Sequence, residues 1–209
     1  MRELVAIGLV LASCKPGKPD ADPAAAVALA AKLVNNVPNA GGVRVCTPED
    51  YAPGGLTITH LSALRLAKLP ISDTPEHKDW INPPELDAPA VRTLLDPAAD
   101  PDAQRAAAGE MLAAPYLLVY RVENVNAPMA LELKEPKRST IGTRLIRYEQ
   151  TGKPTCVQVF LFQSTKKVSD WAIDKSDMTL IDPKVSKVLR DDLNAVYIAK
   201  APRPAPPPP

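Results

Sequence analysis

The sequence predicts an α+β domain in which helices come first and a small antiparallel sheet with a closing helix follows. Three observations carry that prediction. Residues 23–113 contain alanine- and leucine-rich stretches of helical period, several opened by Asp with Pro one or two positions later. From Tyr116 onward the period drops to two, in runs rich in β-branched and aromatic residues. After Asp182-Pro183 a helical stripe returns. Helices and strands gathered in separate parts of the chain define the α+β class.

Each element has its own signal. Asp22 as N-cap and Pro23 at the first helical position open an alanine-rich helix that runs to about Asn36, with Val27, Ala30, Leu33 and Val34 as its stripe. Gly41-Gly42 then breaks the chain before a short extended run, Val43 to Cys46. A second helix is expected from about Ile58 to Lys68, with Ile58, Leu61, Leu64 and Leu69 near one face. Pro70, Pro75, Pro83 and Pro84 rule out long regular structure up to 87. Asp87-Ala88-Pro89 and Asp100-Pro101 predict helices near 88–95 and 101–113.

In the second half, strands are expected near 116–125, 141–148 and 155–163, with a further short one at 129–133. Gly152, where a tight turn needs positive φ, joins the last two long strands into a hairpin. Along 155–163, Cys156, Gln158, Phe160 and Phe162 share one face and Val157, Val159 and Leu161 the other. Both faces are largely apolar, so this strand is expected to be central and covered. The final helix presents Val185, Val188, Leu189, Leu193, Val196 and Tyr197. Residues 23–200 thus form one domain. Residues 201–209, with six prolines in nine positions, form an extended tail. Such a tail could dock an aromatic groove or thread a peptidoglycan mesh; a solvated end is the plainer reading.

The amino terminus carries a targeting signal. Arg2 precedes residues 4–13, which contain no charge and no proline; Cys14 and a polar Lys15-Pro16-Gly17-Lys18 break follow. Ten helical residues rise about 15 Å, half of a hydrocarbon core, so this is no membrane span but fits a secretory leader. Leu11-Ala12-Ser13-Cys14 resembles the lipobox of bacterial prolipoproteins. The resemblance implies that residues 1–13 are removed and that Cys14 becomes the first mature residue and carries the lipid. Residues 14–22 then act as a flexible spacer. It also implies a cell-envelope location with membrane lipid as partner. Lys15 stands where that family's inner-membrane retention signal has Asp, which points to the outer membrane. The body, over about 115–198 with its Tyr148–Cys156–Phe162 hairpin, resembles uncharacterised bacterial lipoprotein domains in layout, and that likeness implies no activity.

With Cys14 lipidated, Cys46 and Cys156 remain. Export places them in an oxidising environment where thiols pair, so a disulfide is expected, with two separate buried thiols as the alternative. Bridged Cα atoms must lie within about 7 Å.

Catalytic and metal chemistry finds little material. His60 and His77 are the only imidazoles. The first lies in an apolar helix and reads as a residue at the edge of the core; the second lies in a charged loop beside Trp80. No nucleophile elbow, phosphate-cradling glycine loop, HExxH or CxxC occurs. No cofactor or metal is expected. Carboxylate pairs such as Asp79 with Glu85, or Asp170 with Asp174, would suit a hydrolase, but 24 acids make chance pairs common.

The formal net charge of +1 argues against a nucleic-acid partner. One cluster, Lys134, Lys137, Arg138, Arg144 and Arg147, could face an anionic envelope polymer. The competing reading is protection of an exposed strand edge. The sequence therefore reads as a non-enzymatic envelope lipoprotein of interaction or structural type. The alternatives are polymer binding through the basic strand and, less strongly, a carboxylate-dependent hydrolase. It leaves the partner and the oligomeric state open.

Overall fold

The structure, a computed structural model, describes residues 21–39, 41–126, 138–165 and 183–205. The lipobox, the expected strand at 129–133, Lys134, Lys137, Asp170, Trp171 and Asp174 lie outside them.

The domain is α+β. Five strands form one open mixed sheet in the order β1-β5-β4-β3-β2, flanked by helices on both faces. The expected antiparallel strands are its centre: β3 (Leu117–Asn126), β4 (Thr140–Tyr148) and β5 (Pro154–Gln163). Two short strands extend it with parallel pairings, β1 (Arg44–Val45) against β5 and β2 (Leu56–Thr59) against β3. The sheet is therefore mixed, not purely antiparallel. β5 is interior only where β1 pairs with Cys156 and Val157, and it is not covered: the Val159 and Leu161 side chains on its second apolar face are 71% and 67% exposed.

The amino-terminal helices cover one face. Helix α1 (Pro23–Asn35) starts as the sequence requires, Asp22 accepting from the Ala24 N–H. Its Ala26, Leu29, Ala30 and Leu33 pack with Ile58, Val91, Met111, Val119, Ile146 and Tyr148. Helices α3 (Pro89–Leu95) and α4 (Pro101–Ala113) complete that layer. On the other face α5 (Pro183–Lys200) lays Leu193, Val196 and Tyr197 on Tyr120, Ile141, Leu145 and Phe162. Full burial of an aliphatic side chain stabilises by about 1.5–3 kcal/mol, so the two layers clamp the sheet from both sides. Among the described residues no helix is long and apolar enough to cross a membrane.

The expected helix 58–68 divides in two. Leu56 to Thr59 is strand, and only His60–Leu66 is helical (α2). β-branched Thr57, Ile58 and Thr59 favour extension, and the Thr59 hydroxyl accepts from Ser62 N–H, which fixes the helix start one residue later. Gly152 has φ 81° in the hairpin turn, and a Cβ there would stand 2.6 Å from Lys32 Cβ of α1. Glycine is required twice over, for the turn and for the approach of the helix.

Candidate functional site

Parallel pairing of Arg44 with Cys156 and Val45 with Val157 brings the run after α1 alongside the return strand of the hairpin. Cys46 and Cys156 are both buried, lie 4.9 Å apart at Cα and are joined by a disulfide across 110 residues. A short 3₁₀ turn, Pro48–Tyr51, follows at once. Its Asp50 carboxylate accepts from both terminal nitrogens of the Arg44 guanidinium and from Thr47 N–H at 2.7 Å. The Arg44 hydrogen bonds hold that carboxyl well below the usual range. The Asp50 carbonyl in turn accepts from Arg147 Nε. Disulfide, ion pair and turn form one brace at the sheet edge.

Among the described residues, Cys46, Asp50 and Cys156 are the one cluster of His, Cys, Asp and Glu compact enough to share a cation. Its sulfurs are bonded to each other and its carboxylate is engaged, so the residues do not fit a metal.

Of the basic cluster, Arg138, Arg144 and Arg147 are among the described residues. β4 is the middle strand of the sheet, so its arginines guard no edge. Arg144 and Arg147 are three positions apart and project from opposite faces. Arg144 donates to the Pro38 carbonyl and to Glu123. Arg147 donates to the Asp50 carbonyl and Thr155 Oγ1, with its guanidinium 4.4 Å above the Tyr116 ring. Arg138 donates to the Ser164 carbonyl.

The structure does unite the two histidines that the sequence left apart. His60 opens α2, His77 belongs to the turn Pro75–His77, and their rings stack at 6.1 Å between centroids. With Ser72, Thr74, Glu76, Arg121 and Glu123 they line a cleft of about 290 Å³. Burial above all, and then the charges of Arg121 and His77, lower the His60 pKa to about 4. Its Nδ1 is buried without a hydrogen-bond partner. Ser72 Oγ stands 2.5 Å from His77 Nδ1 and Thr74 Oγ1 3.3 Å.

Nucleophilic catalysis needs a base that a third group orients. Among the described residues no carboxylate is hydrogen-bonded to either imidazole, and two hydroxyls share one ring nitrogen of His77, Nδ1. That pattern ties the loop down. Of the carboxylates proposed as pairs, Asp79 is bonded to Arg65.

Sequence reasoning missed two buried carboxylates. Asp50 had a signal, the Thr47-x-x-Asp50 spacing of a capping box. Asp87, by its place two residues before Pro89, predicts a helix cap. The cap position is Ala88, and Asp87 turns back to accept from Thr59 N–H at 2.6 Å and Ser62 Oγ at 2.6 Å. Burial, only partly offset by those donors, pushes its carboxyl up to about 6. Comparison with known protein families, curated proteins and solved structures finds no match to this chain.

Proposed function

We propose that this chain is an exported, lipid-anchored protein of the bacterial cell envelope, with a non-enzymatic, disulfide-braced interaction module as its body. The observation that carries the reading is the Cys46–Cys156 bridge. Structural disulfides belong to oxidising compartments, and the two cysteines that pair are those left once Cys14 is assigned to lipid. Leu11-Ala12-Ser13-Cys14 supplies the anchor, and Lys15 favours the outer membrane. Several acyl chains on one residue give lasting attachment at about 0.8 kcal/mol per buried methylene. The dispersed, internally bonded Arg138, Arg144 and Arg147 speak against polymer binding through a basic strand.

Metabolic palmitate labelling in a bacterial host tests the anchor. The unaltered chain is expected to take up label, a Cys14→Ala chain is expected to take up none, and globomycin is expected to retard migration. An unlabelled chain whose migration ignores globomycin overturns the proposal.

A further inference from the structure

Residues 201–205, read from the sequence as the start of a solvated tail, run against the body. Ala201 is buried and closes α5, its N–H donating to the Tyr197 carbonyl one turn back at 2.9 Å. The buried Tyr120 hydroxyl donates to the Pro202 carbonyl. Ala205 N–H donates to the Tyr51 carbonyl at 3.0 Å. Pro202 and Pro204 are half-buried, whereas Arg203 and Ala205 are exposed. A cleft of about 530 Å³ lies beside Arg203, Pro204 and Ala205, its other wall including Gly54, Gly55, Thr57 and Pro89.

The chemistry of this contact is that of extended-peptide recognition. Proline has no N–H, so in 201–209 only Ala201, Arg203 and Ala205 can donate from the main chain. Beyond the helix end, the Ala205 N–H donates to the Tyr51 carbonyl and the Pro202 carbonyl accepts the Tyr120 phenol. Recognition by main chain and phenol, with alternate residues facing out, selects backbone shape more than side-chain identity. A proline-alternating segment holds that shape in advance and loses little entropy on docking.

We propose that the groove at Tyr51 and Tyr120 is a docking site for an extended proline-alternating segment, filled in cis by the chain's own tail. A partner protein carrying such a segment occupies it by displacing the tail. The tether gives the tail an effective concentration of order millimolar, so it screens out weak competitors. The proposal stands on the docked tail and is independent of lipidation at Cys14.

The test uses the full chain and a fluorescent synthetic peptide with the sequence of residues 201–209, read by anisotropy. Ala205→Pro removes the N–H that reaches Tyr51 and loosens the resident tail without touching the groove. The variant is expected to bind the peptide at least tenfold more tightly than the unaltered chain. Adding Tyr120→Phe to it should weaken binding about fivefold, the worth of one hydrogen bond. A peptide with glycine in place of its prolines should lose binding. Equal affinity for the variant and unaltered chains, or no saturable binding to the variant at millimolar peptide, overturns the proposal. Dimerisation of the variant that the peptide does not reverse also overturns it, because the tail would then be exchanging between copies.

Discussion

Asp50 and Asp87 are both buried, and both fasten a loop to an outer strand of the same sheet, at opposite ends of the strand order. Their settings differ. Asp50 faces a guanidinium beside a covalent bridge, and its carboxylate stays ionised far into acid. Asp87 meets a main-chain N–H and a serine hydroxyl, and burial lifts it to about 6. One corner is a brace indifferent to pH; the other is poised within the range where a cell's surroundings vary. A carboxylate's neighbours, and not its burial alone, decide which of these it becomes.

The brace should give the largest effect. Replacing Cys46 and Cys156 together by alanine opens a loop of 110 residues and should cost about 5 kcal/mol in urea unfolding, on the chain-entropy estimate. A cost under about 1 kcal/mol would show that the parallel β1–β5 pairing and Asp50 hold the edge unaided.

The pH response comes next. His60 titrates near 4 in the fold against an ordinary 6.5, so acid favours the unfolded chain: its contribution is intact above about 6.5 and is lost as pH falls toward 4. Asp87 titrates near 6 against 3.8, so its burial costs stability above 6, and that cost fades as pH falls toward 4. The two groups oppose one another over the same interval, and stability of the unaltered chain should be nearly level between pH 7 and 4.5. Asp87→Asn removes one side of that balance. The variant should then lose roughly 2 kcal/mol over the interval, from the His60 shift alone. Equal slopes for the two chains in urea unfolding at several pH values would contradict this.

Asp50→Asn should cost about 1–2 kcal/mol, chiefly by weakening the turn at Thr47, because the Arg44 side chain is 55% exposed and its pair is screened. This cost should be the same at pH 7 and pH 5, unlike that at Asp87. Tyr120→Phe should be the mildest change, under about 1 kcal/mol, and should speed hydrogen exchange at Ala205 while leaving β3 protected.

Local signals in the sequence were enough for the elements whose causes are local. Asp22-Pro23 sets the start of α1 and Gly152 sets the hairpin. What stayed hidden depends on distant pairings. β1 and β2 are two and four residues long, and each becomes a strand only by pairing with β5 and β3. Arg144 and Arg147 look like a cationic stripe until carbonyls from Pro38 and Asp50 arrive from over 90 residues away. His60 and His77 meet because the turn at Pro75–His77 folds onto β3 beside α2, and no spacing rule in the chain announces that. Asp87 matched a helix cap by position and was claimed instead by the strand–helix junction at Thr59 and Ser62.

The central claim joins lipidation at Cys14 to the buried bridge, and the intact mass of the protein purified from its native host under non-reducing conditions reads both at once. The account predicts a chain beginning at Cys14, heavier by its acyl groups and two hydrogens lighter than the reduced form. A mass equal to the unprocessed sequence with free thiols contradicts it.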